Sequence, residues 1–181
     1  KILKEKLSKK RYEHSVAVME RAVFLAELYG ADEEKARLAG LLHDITKTTP
    51  CQEQLLFFNQ FGIMLDDITK NSEKLWHAVS GAAYIENVLN INDKEIINAV
   101  RYHTTAKAGM TLLEKVLYLA DFTSADRDYT DVDVMREKVD VSLADAMKYA
   151  LSYTIKELTE KQSQIHPDTM NAYNEIMKRG N

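Results

Sequence analysis

The feature that most restricts the fold of this chain is its shortage of residues that interrupt a helix. Only two prolines and six glycines occur in 181 residues, and no segment alternates apolar and polar residues with the period of two that a half-buried strand requires. Capping residues stand where helices should end and begin: Gly30 follows a helix predicted over 11–29, and Asp32 precedes the next one. The pattern predicts an all-α protein, a single-domain helical bundle.

The rest of the chain continues this helical plan. Thr111 and Glu114 form a capping box before an apolar run at 116–120, and Pro167 suits the first turn of the last helix. Further helices are predicted over 52–61, 72–90, 93–103 and 141–161, with a polar connection over 124–133. Small residues around Gly40 predict that the second long helix approaches a neighbour closely. No repeat or shift in composition marks a second domain.

Composition excludes several classes of function. The net charge of −4 gives no basic surplus for a nucleic acid, although a local basic pocket for a small anion stays compatible with it. Cys51 is the single cysteine, which excludes an internal disulfide and favours a reducing, cytoplasmic location. The apolar runs are too short to span a bilayer, and the charged first ten residues lack the apolar centre of a signal peptide. We therefore expect neither nucleic acid nor membrane as a partner.

The candidate chemistry centres on the dipeptide His43-Asp44, at the end of an apolar run. An imidazole and a carboxylate are ligands for a divalent metal, and the two oxygens of the aspartate could bridge two ions. The dipeptide alone is common, but its companions lie on other predicted helices. They are His14, His77, His103 and Asp121. Helices of a bundle can direct such side chains to one interior point, and a buried Asp121 would require a cation there.

The order H…HD…H…H…D resembles that of HD-domain phosphohydrolases. Four pieces narrow the resemblance to the YqeK-type symmetrical bis(5′-nucleosyl)-tetraphosphatases, and Arg127 fits as well. The pieces are Arg11-Tyr12-Glu13-His14-Ser15, Ala39-Gly40-Leu41-Leu42-His43-Asp44-Ile45-Thr46-Lys47, Arg101-Tyr102-His103-Thr104-Thr105, and the segment from Gly109 to Asp121. The similarity extends over about residues 7 to 175. It implies one HD domain over 1–181, with a metal-binding core at about 11–127 and C-terminal helices at about 140–181 packed on it.

The resemblance also implies a metal centre. A first metal would be held by His14, His43, Asp44 and Asp121, and a second by Asp44, His77 and His103. Iron is favoured because family members bind it, although the mixed ligands also suit manganese or zinc. A bound metal would lower the pKa of a water, which would attack a central phosphorus of diadenosine tetraphosphate and release two ADP. Without a second metal, His77 and His103 would donate hydrogen bonds to phosphate.

A larger set of residues would bind the substrate. No glycine-rich phosphate loop occurs, so phosphate recognition must rest on the metal and on basic side chains. The expected substrate contacts are Arg11, Asp44, Ile45, Thr46, Lys47, His77, His103, Thr104, Asp121 and Arg127, of which Asp44, His77, His103 and Lys47 would be catalytic. The expected partner is a small nucleotide, and a homodimer is compatible with the resemblance.

Three departures from the family pattern concern loops. Ala78 and Ala106 stand where glycine is usual, and Ser124-Ala125-Asp126 replaces a turn with Glu and Pro before Arg127. Some aromatic side chain within 52–75 could stack on a base, whereas His166 is expected at the surface or in a cap. Other HD activities stay open as alternatives: a nucleotidase or guanosine tetraphosphate hydrolase, a di-iron oxygenase, or a nucleotide sensor without turnover. Lys47 and Arg127 argue against the oxygenase, because they require an anionic substrate.

Overall fold

The computed structural model describes residues 2–178, so Lys1 and the last three residues of the predicted domain lie outside the described residues. Helices account for all the regular structure of this part, as predicted for an all-α protein. In chain order they are α1 (Ile2–Lys6), α2 (Lys9–Tyr29), α3 (Glu33–Leu42), α4 (Cys51–Gln60), α5 (Asp67–Lys70), a 3₁₀ turn (Glu73–Leu75), α6 (Trp76–Asn87), α7 (Lys94–Tyr102), α8 (Leu112–Thr123), α9 (Val132–Val141), α10 (Leu143–Glu160) and α11 (Pro167–Lys178). None of these helices is both long and apolar enough to cross a bilayer.

Helix α8 is the centre of the bundle. It contacts α2, α3, α7, α9 and α10, and its side chains are buried on every face, including the consecutive residues 116–120. A helix that is apolar all round is one that other elements surround. Asp121 follows this apolar run directly, so the same helix that forms the core carries a carboxylate to its edge.

Helices α2 and α3 form a closely packed hairpin. Gly30 ends α2 in the left-handed conformation, at φ 76°, and the side chain of Asp32 caps α3 by accepting the Lys35 N–H at 2.9 Å. A Cβ at Gly40 would lie 2.6 Å from the Cα of Met19, which is closer than real Cβ atoms come. The predicted close approach at the small residues of α3 is therefore confirmed.

Two predicted boundaries were wrong. The segment predicted as a polar connection over 124–133 ends in helix α9, and the helix predicted over 141–161 begins only after Ser142. The backbone of Ser142 is extended, and its hydroxyl caps α10 by accepting the Asp145 N–H at 3.2 Å. Helix α9 was missed because only three of its residues are buried, Val132, Met135 and Val139.

Candidate metal centre and its basic rim

Five helices direct histidine and aspartate side chains to one interior point. The ends of α3 and α7 contribute three of them, and α2, α6 and α8 contribute one each. These side chains are His14, His43, Asp44, His77, His103 and Asp121. All are buried except Asp121, whose side chain is 19% exposed. The structure thus brings together all six residues that the sequence suggested as metal ligands.

One oxygen of Asp44 faces the first group of ligand atoms, which we call the Oδ2 side. Asp44 Oδ2 lies 3.7 Å from His43 Nε2 and 4.0 Å from His14 Nε2. Asp121 Oδ1 lies 3.1 Å from His14 Nε2 and 3.8 Å from His43 Nε2. Ligands about 2.1 Å from a common ion are separated by roughly 3.0 to 4.2 Å for angles between 90° and 180°. The spacing of His14, His43 and Asp121 therefore suits a bound metal ion, and Asp44 forms a second such cluster with His43 and His103.

The other oxygen of Asp44 faces a second group, which we call the Oδ1 side. Asp44 Oδ1 lies 3.2 Å from His77 Nε2 and 3.8 Å from His103 Nε2, and these two nitrogens are 3.2 Å apart. Asp44 consequently stands between two sets of imidazoles and offers one oxygen to each. That is the arrangement a carboxylate needs in order to bridge two ions.

The rings of His43 and His103 are oriented by their own helices. His43 Nδ1 donates to the carbonyl of Gly40 at 2.8 Å, and His103 Nδ1 donates to the carbonyl of Val100 at 2.7 Å. A carbonyl only accepts, so the proton is on Nδ1 and the lone pair of the neutral ring is on Nε2. The Nε2 atoms of His14 and His43 are buried without a hydrogen-bond partner. Such atoms are ready to bind a metal.

His14 is oriented by a residue that the sequence analysis did not assign. Its Nδ1 donates to Asp126 Oδ2 at 2.8 Å, across 112 positions of sequence. Asp126 was noted only as part of a departure from the family turn. The sequence held only a general indication of this role. A metal-binding histidine inside a helix needs a hydrogen-bond acceptor for its other ring nitrogen, and a carboxylate lies five residues after Asp121.

The charges of the site follow from its packing. Burial acts to raise the pKa of the Asp44 and Asp121 carboxyls, but the adjacent histidines, with Arg127 beside Asp121, hold both values well below the usual range. Burial lowers the pKa of His43, and it lowers that of His77 to about 4. Near pH 7 the site therefore combines two anionic carboxylates with neutral rings at His43 and His77, the form in which histidine binds metals.

Three basic side chains surround the centre. Arg11 Nη1 lies 3.2 Å from Asp44 Oδ2. Arg127 donates from Nε to the Asp121 carbonyl at 2.6 Å and pairs through Nη2 with the Asp121 carboxylate. Lys47 Nζ lies 3.2 Å from His77 Nε2, and burial lowers the pKa of this lysine. Each of the predicted cations thus touches a predicted ligand.

Three other expected substrate contacts lie in different surroundings. Ile45 is fully buried and belongs to the main hydrophobic core. Thr46 is buried too, and its hydroxyl donates to the His77 carbonyl at 2.9 Å, which ties α6 to the segment after α3. The hydroxyl of Thr104, next to His103, is buried without a hydrogen-bond partner.

The aromatic residues of 52–75 mostly contact one another rather than an open surface. Phe57 and Phe61 are 4.6 Å apart between ring centroids, and Phe58 packs edge-on against Trp76 at 5.8 Å. A second aromatic group, Phe122, Tyr129 and Tyr153, begins directly after Asp121.

His166 is buried, contrary to the expected surface position, but it does act in a cap. Its Nδ1 accepts the Asp168 N–H at the start of α11 at 3.1 Å. Its Nε2 lies 3.2 Å from Asp66 Oδ2. It therefore links α11 to the beginning of α5 and matches no ligand position.

Comparison with known proteins gives concordant results. The family model described as HD domain matches residues 11–126. A Bacillus subtilis protein named bis(5′-nucleosyl)-tetraphosphatase, symmetrical, is 37% identical over 172 residues, which cover 95% of this chain and 92% of that protein. A protein of the same name from Halalkalibacterium halodurans is 36% identical over 176 residues, 97% of this chain and 94% of that protein.

A solved structure is also similar. It is described as an HD superfamily hydrolase involved in NAD metabolism from Clostridium acetobutylicum, and it is 36% identical in sequence to this chain. The match covers 98% of this chain and 94% of that one, with a TM-score of 0.94. The similarity therefore extends over the whole bundle, including the C-terminal helices.

Proposed function

The chain belongs to the HD-domain family and, within it, to the symmetrical bis(5′-nucleosyl)-tetraphosphatases, and from this membership we propose how its residues act. It is a hydrolase that converts a dinucleoside tetraphosphate and water into two nucleoside diphosphates, two ADP when the substrate is diadenosine tetraphosphate. The observation that carries the assignment is the joining of a buried cluster of histidines and aspartates to a rim of Lys47, Arg11 and Arg127.

The first ion would be held on the Oδ2 side, by His14, His43, Asp44 and Asp121. Two of these imidazoles present a buried Nε2 with no other partner, which supports the assignment. On the Oδ1 side, Asp44, His77 and His103 would hold a second ion. Iron is our preferred metal, and manganese or zinc suits the same nitrogen and oxygen donors. A metal held here lowers the pKa of a bound water and polarises a phosphoryl oxygen.

The basic side chains would bind and orient the polyphosphate. Lys47 offers a compact positive charge beside His77, whereas Arg11 and Arg127 offer planar guanidinium groups that suit two phosphate oxygens at once. In the structure, all three side chains contact residues of the site, so these cations would already be directed at the centre when the substrate binds. Their positive charge would offset the negative charge of the four phosphates and favour a substrate with a long anionic chain.

His77 and His103 would act on the phosphate if no second ion is held. The Nδ1 proton of His103 is donated to the Val100 carbonyl, so donation to a phosphate from Nε2 would need a second proton on the ring. His77 has no such commitment to a backbone acceptor and lies against Lys47, so it would be the better donor to a phosphoryl oxygen. The unpartnered hydroxyl of Thr104 would supply a further donor.

The bond that breaks lies in the middle of the polyphosphate. The water oxygen would bond to one central phosphorus, the bond from that phosphorus to the bridging oxygen would break, and a nucleoside diphosphate would depart in line. The buried position of the ligands supports this role, because exclusion of bulk water strengthens the interaction of the cations with the charge that develops. Ile45, placed in the core, would contribute only through its backbone.

One nucleoside would enter a cleft of about 750 Å³ that begins at Thr104 and Thr105, directly after His103. Leu75, two residues before His77, lines the same cleft, so its wall is continuous in sequence with the Oδ1 side. Lys70 and Lys74 line it together with Glu73, and Lys161 is paired there with Glu157. The Phe122, Tyr129 and Tyr153 group offers stacking surfaces beside Asp121 for the nucleoside on the other side.

The proposed setting is the cytoplasm, with a small nucleotide as the partner. The single thiol, Cys51, fits a reducing compartment. A homodimer would leave the centre within one chain, because every proposed ligand comes from the same bundle.

Product analysis tests the proposal most directly. The protein would be purified without oxygen, its metal content measured, and the products of diadenosine tetraphosphate separated by chromatography. ADP alone, in a ratio of two per substrate, is expected, with turnover lost in a metal-free Asp44→Ala variant. Inorganic phosphate or pyrophosphate would indicate a different HD hydrolase, oxygen consumption an oxygenase, and binding without turnover a sensor. An Asp44→Ala protein with full metal and full activity would refute the proposed centre.

A further inference from the structure

We propose that Asp126 is a positioning residue for the metal centre. Its carboxylate would hold the His14 ring in the orientation that directs Nε2 toward the other proposed ligands. The inference rests on the proposed metal-dependent function and concerns a residue outside the ligand set. Asp126 Oδ2 accepts the His14 Nδ1 proton at 2.8 Å. Donation from Nδ1 fixes the tautomer, so the lone pair of the ring is on Nε2, which lies 3.1 Å from Asp121 Oδ1.

His14 needs an acceptor from outside its own helix. His43 and His103 stand at helix ends, where a carbonyl three residues earlier accepts the Nδ1 proton. His14 is the sixth residue of α2, in the interior of a helix of 21 residues, where the nearby carbonyls accept helical N–H groups. The acceptor therefore comes from the loop after α8, and a carboxylate binds the proton more strongly than a neutral carbonyl does.

The loop around Asp126 is held rigidly enough for this role. Ser124, which is fully buried, donates its hydroxyl to Asp126 Oδ1 at 2.8 Å. Arg136 of α9 donates from Nη2 to the Ser124 carbonyl at 2.9 Å and to the Arg127 carbonyl at 3.0 Å. Both sides of Asp126 are thus tied to α9, although its own side chain is 41% exposed. An exposed carboxylate that is fixed in this way can orient a buried ring.

The competing explanation is an ordinary ion pair at the surface, which would contribute little to stability and nothing to the metal. Metal affinity separates the two explanations. Removal of an outer partner of a histidine ligand typically costs about 10- to 100-fold in metal affinity. A surface pair would leave the affinity unchanged.

The test measures Mn²⁺ binding by calorimetry to metal-stripped, full-length protein. Asp126→Ala is expected to raise the Kd for Mn²⁺ by about 10- to 100-fold. Asp126→Asn keeps an acceptor oxygen without the charge, so its Kd should fall between those of Asp126→Ala and the wild type. The matched control is Asp128→Ala, which removes the same charge from an exposed position in the same loop and should leave Kd unchanged.

Thermal unfolding of the same metal-free proteins completes the experiment, with all variants expected to melt within a few degrees of the wild type. An unaltered Kd in Asp126→Ala would overturn the proposal. So would a weakened affinity that parallels a fall in melting temperature in both the Ala and Asn variants, since Asp126 would then be a structural residue. Because Mn²⁺ binding involves no substrate, failure here is distinguishable from failure of the tetraphosphatase assignment, which product analysis of the wild type reports.

Discussion

The two sides of Asp44 are built differently. On the Oδ2 side, the rings of His14 and His43 are each fixed through Nδ1 by an acceptor of the protein, and their Nε2 atoms have no other partner. On the Oδ1 side, His103 is fixed in the same way by the Val100 carbonyl, but His77 has no such acceptor and contacts Lys47 and His103 instead. The difference at His77 agrees with our proposal that the first ion is held on the Oδ2 side. The Oδ1 side places a cation, Lys47, where an anionic substrate could be received.

Replacing one histidine on each side should separate metal binding from turnover. His14→Gln is expected to weaken Mn²⁺ binding by about 100-fold or more, because it removes a ligand from the organised side. His77→Gln is expected to keep one tightly bound ion but lose about 100-fold in kcat/KM, because a contact to the reacting phosphate disappears. The measurement pairs metal-to-protein ratios with steady-state kinetics. Equal loss of metal in both variants would mean that the two sides form one inseparable centre.

In the metal-free protein, the contributions of His14 and His77 to the free energy of unfolding should depend on pH in opposite directions. Burial lowers the pKa of His77 from 6.5 to about 4, so the unfolded chain binds more protons in that window and stability falls as pH drops through it. Burial acts to lower the pKa of His14 as well, but the adjacent carboxylates of Asp121 and Asp126 raise it above 6.5. The stability from His14 is therefore full below pH 6.5 and is lost as pH rises through the raised value.

Urea unfolding of metal-stripped variants at pH 5 and pH 7.5 measures this contrast. The His77 contribution corresponds to a loss of about 2 kcal/mol between the higher and the lower pH. His77→Gln should lack that loss, and its free energy of unfolding should depend less on pH than that of the wild type. His14→Gln should lack the stability that the His14 ring contributes at low pH, so its free energy of unfolding should fall more than that of the wild type between pH 7.5 and pH 5. Variants that follow the wild-type curve at both values would show that neither ring titrates as the geometry requires.

The smallest expected effects concern the cations beside the two sides. Lys47→Gln should raise KM for the tetraphosphate by about 10-fold or more, since Lys47 is enclosed beside His77 and would form a charge-assisted bond. Arg11→Gln should raise KM by only about 2- to 5-fold, because the side chain of Arg11 is 39% exposed. Kinetics at two salt concentrations provide the check, since the Arg11 effect should shrink in high salt. A larger effect at Arg11 than at Lys47 would reverse the assignment of the anion-receiving side.

Capping signals explain how much of the fold could be predicted from the sequence. Gly30, Asp32 and the capping box at Thr111 mark boundaries through local hydrogen bonds, and these boundaries agree with the structure. Helix α9 could not be found in this way, because Asp131 before it makes no side-chain cap and most of its residues face away from the core. A helix defined by its tertiary contacts leaves little trace in a single sequence.

The candidate site, like the fold, could be predicted only in part from the sequence. The clustering of the six side chains could be predicted because each histidine or aspartate stands in a recognisable piece of sequence, and the structure places those pieces together. That the Ile45 side chain is part of the core could not be predicted, because adjacency in sequence to His43-Asp44 does not determine how a side chain packs. Asp126 was missed because its partner lies 112 positions away. The metal identity and the roles of individual residues stay predictions.

Gly40 links the spacing of two helices to the chemistry of the centre. It admits the backbone of Met19 where any side chain would collide, and its carbonyl is the acceptor that orients His43. One added methyl group would push α3 outward and carry that acceptor away with it. A position without functional groups of its own therefore accepts few residue types, because the packing of the hairpin also sets the orientation of the His43 ring.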